Sequence, residues 1–132
     1  MLKYMLDTNI VIYVIKRKPI EVLDTFNQHA EQLAISSITL AELLHGAEKS
    51  MYVERNLRKI EDFVSRLEVL DYTSNAAAHY GDIRADLERK GTPIGVNDLH
   101  IAGHARSEGL IVVTNNLREF ERVEGLRTDN WV

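Results

Sequence analysis

MLKYMLDTN, residues 1–9, organises the chain. Leu2, Tyr4, Met5 and Leu6 form a short, mostly apolar run that Asp7 ends abruptly. Asp7, Thr8 and Asn9 then lead into the apolar residues 10–15. This is the pattern of a buried strand, a turn, and a helix opening at the strand's carboxyl end. In open parallel α/β sheets that end carries ligands and chemistry. A carboxylate there also serves as a helix N-cap. Working outward, two further acids, Glu42 and Asp98, occupy the same kind of position.

Pro19 suits the first turn of a second helix whose apolar face is Val22, Leu23 and Phe26. Residues 33–36 read as a second strand, and residues 37–47 as a helix with Leu40, Leu43, Leu44 and Ala47 on one side. Residues 54–67 have the spacing of an amphipathic helix, and Val69-Leu70 of a short strand. The helix predicted over 75–90 is stopped by Gly91 and Pro93. Asn97 reads as the cap of the next helix, which Gly109 ends. Residues 110–114 are the clearest buried strand, and residues 126–131 are expected to add an edge strand. Strands alternating with helices predict an α/β fold, a three-layer α/β/α sandwich around a central parallel sheet. About four or five strands is a typical size. With no repeat or linker, residues 1–132 are expected to form a single domain.

Composition narrows the function. Hydrophobic residues make up 45% and charged residues 27%, the balance of a globular chain. No apolar run approaches about 18 residues, and no leader pattern opens the chain, so a cytoplasmic protein without membrane contact is expected. The absence of cysteine excludes disulfides, thiolate metal sites and cysteine nucleophiles. The net charge of −4, from 16 basic and 20 acidic residues, counts against a nucleic-acid partner. Setting Asp7, Glu42, Asp98 and Glu119 aside leaves the two signs balanced, so cations held by these four would remove the objection.

Each acid has a purely structural explanation. Asp7 suits an N-cap. Thr39-Leu40-Ala41-Glu42 has the spacing of a capping box. Asp98 suits the first turn of a helix, although Asn97 already offers a cap. After the best strand, Asn116 and Glu119 offer further oxygens within a polar loop. Taken together, these acids would converge on one rim, where like charges raise one another's pKa. A hard divalent cation offsets that cost, and oxygen ligands without cysteine suit Mg²⁺, with Mn²⁺ as a substitute. In phosphodiester hydrolysis such a cation activates water and stabilises charge on the attacked phosphate.

These residues resemble a PIN-domain ribonuclease, and more closely the VapC toxins of bacterial toxin–antitoxin systems. The blocks that carry the resemblance are residues 5–9, 38–43, 93–98 with 101–105, and 113–123 followed by 125–127 and Trp131. They run in order along essentially the whole chain. The resemblance implies Asp7, Glu42 and Asp98 as catalytic, metal-binding acids. Asn116 stands where the family usually has a further Asp, with Glu119 three residues on, so these two are the remaining catalytic candidates. It also implies RNA as substrate, with a tRNA the expected class, and 5′-phosphate and 3′-hydroxyl products. It further implies a homodimer, a VapB-like antitoxin lying across the groove, and operator DNA bound only through the antitoxin complex.

His100 and His104 are spaced i, i+4 but lack the intervening Glu and third ligand of a zinc site. Arg84, Arg89 and Lys90 read as solvated charge, or as phosphate contacts with the last two best placed. Thr8 and Thr114 read as capping or carboxylate-orienting hydroxyls. A phosphoacceptor receiver domain needs paired acids after the first strand, where Thr8-Asn9 stands instead. A catalytically inert PIN module is disfavoured by the intact acid set.

Overall fold

The computed structural model describes residues 1–132. The elements follow in the order β1 (Tyr4–Leu6), α1 (Thr8–Lys16), α2 (Ile20–Gln28), β2 (Leu33–Ser36), α3 (Ser37–Glu48) and α4 (Val53–Val64). They continue with β3 (Glu68–Leu70), α5 (Ser74–Arg89), α6 (Val96–Glu108), β4 (Ile111–Val113), α7 (Leu117–Phe120) and β5 (Thr128–Asp129). The five strands form one sheet in the order β3-β2-β1-β4-β5, and every pairing is parallel. β1 is therefore central, and the carboxyl ends of β1, β2 and β4 open onto one rim.

Alternation along the strands divides the core. Tyr4 and Leu6 of β1, Leu33 and Ile35 of β2, and Val113 of β4 pack with apolar residues of α1 to α4. Met5, Ala34 and Val112, between them in sequence, face the opposite way and pack with α5, α6 and the segment around α7. This period of two makes β1, β4 and residues 33–35 of β2 apolar throughout, because both faces of the central strands are covered. The predicted α/β/α sandwich is the observed architecture. α6 lies deep, with Leu99, Ile101, Ala102, Gly103, His104 and Ala105 all buried. Its small residues permit close packing: a Cβ added at Gly103 would lie 2.9 Å from the backbone nitrogen of Tyr80 in α5.

Several boundaries differ from the sequence expectation for local reasons. α3 begins at Ser37 and is capped by Ser36, whose hydroxyl accepts from the backbone N–H of Ile38 at 3.1 Å. Thr39 is thus inside the helix and buried, and no capping box forms with Glu42. α6 is preceded by Gly95 in extended conformation, so Asn97 lies within the helix and is not its cap. The expected edge strand contracts to Thr128–Asp129. Trp131 turns back onto Tyr4 and His29, with ring centroids 5.4 and 5.0 Å away. Gly91 and Gly109 do end their helices, both at positive φ where a side chain would be strained.

Candidate active site

Asp7 leaves β1 and caps α1. Its Oδ1 accepts from the backbone N–H of Ile10 at 2.9 Å. The cap reading is therefore correct, and it does not exhaust the residue. Asp7 is only 4% exposed, and burial raises its carboxyl above the usual range. Hydrogen bonds from Thr114 and Ile10 work against that rise, while the charge of Glu42 adds to it. Capping thus fixes the carboxylate rigidly at the centre of the rim.

Glu42 sits in the second turn of α3 and is held from two sides. The Thr8 hydroxyl donates to its Oε1 at 2.8 Å, and the Asn97 amide donates to its Oε2 at 3.0 Å. These donors come from the first turns of α1 and α6, so one carboxylate ties three helices at the rim. The sequence pointed to Thr8 as a carboxylate-orienting hydroxyl. It missed Asn97 in this role, because a helix starting at Val96 turns Asn97 toward Glu42 and Asp98 about 100° away.

Asp98 has the opposite surroundings. Its Oδ2 accepts a 3.3 Å hydrogen bond from the Asn116 amide, which also donates to Glu119 Oε2 at 2.6 Å. Burial pushes the Asp98 carboxyl up to about 7, with the hydrogen bond and charge of Glu119 and the charge of Asp7 adding to the shift. Asp98 is therefore the rim carboxyl held nearest to neutrality. Asn116 is itself anchored by its backbone N–H to the buried Thr114 hydroxyl at 2.9 Å.

All five candidate residues are linked on one rim, in the order Glu42, Asp7, Asp98 and Glu119, with Asn116 between the last two. No three acids or imidazoles stand close enough to enclose an ion directly. The histidines are engaged elsewhere: His100 Nδ1 pairs with the Tyr72 hydroxyl at 2.9 Å and His104 Nδ1 with the Ser36 hydroxyl at 2.7 Å. Lys90 bonds Asp86 and Glu124, and Arg89 lies near Asp86, so the basic helix end is occupied by acids. No helix is long and apolar enough to cross a membrane.

Comparison with known proteins agrees with this architecture. Residues 4–126 match the model of the PIN domain. The chain is 67% identical to Ribonuclease VapC2 of Haemophilus influenzae over 132 residues, covering 100% of both. It is 60% identical to the tRNA(fMet)-specific endonuclease VapC of Salmonella typhimurium over 131 residues, covering 99% of both. Among solved structures it is similar to DNA-bound VapBC from Salmonella typhimurium, with a TM-score of 0.96, 60% identity and 100% coverage of each chain. The chain belongs to the PIN-domain family and, within it, to the VapC group.

Proposed function

We propose that this chain is the toxin of a toxin–antitoxin pair and a Mg²⁺-dependent endoribonuclease that cleaves a tRNA. One observation carries the reading. Asp7, Glu42, Asp98 and Glu119 meet at the carboxyl ends of β1, β2 and β4, and the two most crowded carboxyls are raised above their usual range. The donor set fits a hard divalent cation: it is all oxygen, and its charge is left uncompensated by any basic side chain. Mg²⁺ keeps several waters and needs only one or two direct carboxylates, which suits a rim without a closed three-ligand cage. Asp7, Asp98 and Glu42 would hold it directly or through water. When bound, the cation lowers the pKa of water and stabilises charge on the phosphate and leaving oxygen.

The protein's own groups have distinct tasks. Asp7 is locked by its cap, so its second oxygen has a fixed direction into the rim. Thr8 and Asn97 hold both oxygens of Glu42, leaving little freedom to lose when substrate binds. Asp98, its carboxyl raised to about 7, suits proton exchange with water and the departing 3′ oxygen, and Glu119 lies beside it through Asn116. Water attacks phosphorus, the bond to the 3′ oxygen breaks, and the products carry a 5′-phosphate and a 3′-hydroxyl. The similarity to a tRNA(fMet)-specific endonuclease favours initiator tRNA as substrate. The likeness to DNA-bound VapBC favours inhibition by a VapB-like antitoxin, with operator DNA reached through that complex; a homodimer in the cytoplasm completes the proposal. An antitoxin Arg laid on the anionic rim would compete with both cation and phosphate. The test is cleavage of initiator tRNA: Mg²⁺ or Mn²⁺ supports it and EDTA abolishes it. Undiminished cleavage in EDTA refutes the reading.

A further inference from the structure

Beside the carboxylates runs a column of flat side chains that the cleavage chemistry does not use. Tyr72 follows β3, and its ring meets His100 of α6 edge-on at 5.1 Å between centroids. The Tyr72 hydroxyl meets the edge of the His100 ring at Nδ1, 2.9 Å away, while the face of the His100 ring stacks on Tyr80 of α5 at 4.4 Å, with 14° between planes. Arg84, one turn along α5, places its guanidinium 6.0 Å from the Tyr80 ring centroid and donates to the Tyr80 hydroxyl at 2.7 Å. Tyr72, Tyr80 and His100 are half-buried, and the Arg84 side chain is 45% exposed. The close approach of α5 and α6 at Gly103 brings these rings together.

Its place gives the column a meaning. His100 lies one helical turn beyond Asn97, whose amide holds Glu42, so both project from the same side of α6. His100, the member of the stack on α6, therefore lies about one turn, roughly 5 Å along the helix, from Asn97, and the stack continues through Tyr80 to the exposed Arg84. Core packing does not need a guanidinium at the end of an aromatic stack. Aromatic faces and guanidinium planes stack unpaired bases, and Arg also meets phosphate. The basic groups at the end of α5 are held by acids, which leaves Arg84 as the cation nearest this stack. Its one acidic contact is the exposed Glu88 at 3.6 Å.

We propose that Tyr80, His100 and Arg84, with Tyr72 behind them, form a stacking subsite for an unpaired nucleotide of the RNA substrate next to the scissile phosphate. This rests on the ribonuclease reading above. A subsite of this kind explains how a chain of net charge −4 can hold a polyanion: the binding comes from base stacking as well as from charge. It also favours a loop over a duplex, because paired bases offer no free face.

The test measures binding in an Asp98→Asn background, with a single-stranded RNA of about 12 nucleotides and its duplex as probes. Tyr80→Leu is expected to weaken single-strand binding about tenfold, while Tyr80→Phe, which keeps the ring, restores it. Arg84→Gln, at an exposed position, weakens binding and lowers the salt slope by about one. With Asp98 intact, Tyr80→Leu raises KM for tRNA far more than it lowers kcat. Equal binding by Tyr80→Leu and the parent, with tRNA cleavage intact, overturns the subsite alone. A parent protein that neither binds nor cleaves RNA overturns the ribonuclease reading and the subsite with it. A binding loss that tracks dissociation into monomers in sedimentation overturns it in favour of a contact between copies of the chain.

Discussion

The two ends of the acid rim solve the same electrostatic problem in opposite ways. Glu42 is satisfied: neutral donors from Thr8 and Asn97 occupy both its oxygens. Asp98 is frustrated: it is half-buried, faces Glu119 and Asp7, and is pushed up to about 7. Neutral hydrogen bonds orient a carboxylate without consuming its charge, whereas like charges at close quarters leave it wanting a cation. The rim thus joins a pre-set carboxylate to an uncompensated one. A wholly satisfied rim would have little reason to bind a metal, and a wholly frustrated one would be costly to fold.

The largest effect that sharpens this contrast comes from the frustrated end. Asp98→Asn keeps the shape, removes the repulsion with Glu119 and Asp7, and leaves folding intact. Cleavage is expected to fall by about a thousandfold or more, since a lost ligand removes several kcal/mol of transition-state stabilisation. Folded protein with near-normal cleavage would return Asp98 to the role of a helix-start acid.

The satisfied end gives a smaller loss. Asn97→Ala frees Glu42 Oε2, and Thr8→Val frees Oε1. Each is expected to reduce activity by about 10- to 100-fold, the range for residues that orient ligands. Cleavage assays at saturating Mg²⁺ check this, and losses equal to that of Asp98→Asn would erase the distinction between the two ends.

The smallest effect is on stability. The Asp98 carboxyl has a folded-state pKa raised to about 7 from 3.8. Between those values the native state holds more protons than the unfolded chain, so stability falls as pH rises through that window. Below about pH 4 the penalty is absent, and above about pH 7 it is complete. In EDTA, the melting temperature of the native sequence should fall relative to Asp98→Asn by about a few degrees between those limits. Parallel melting profiles for the two proteins would refute the frustrated state of Asp98.

Much of this contrast was legible in the chain, and its limits are instructive. The strand endings at Asp7, Ser36 and Val113 follow from apolar runs cut off by polar residues, and they locate the rim. Asp7 caps α1 and also stands on the rim, so a cap reading does not remove a residue from the candidate acids. The Thr39–Glu42 spacing misled because Ser36, Ser37 and Thr39 all offer start signals, and the helix is capped at Ser36, the last residue of β2. The role of Asn97 depends on helix phase, which one residue of boundary error reverses. The Tyr72–His100–Tyr80–Arg84 column joins three elements distant in sequence, and no local pattern announces it.

The most direct measurement is the proton count of Mg²⁺ binding, read by titration calorimetry in buffers of different ionisation enthalpy. A cation at the frustrated end must displace the proton that Asp98 holds below about pH 7. Close to one proton released per ion is expected at about pH 6, falling toward zero by about pH 8.5, with the release lost in Asp98→Asn. Mg²⁺ binding with no proton release at pH 6, or unchanged release in Asp98→Asn, would contradict the assignment of the metal to this end of the rim.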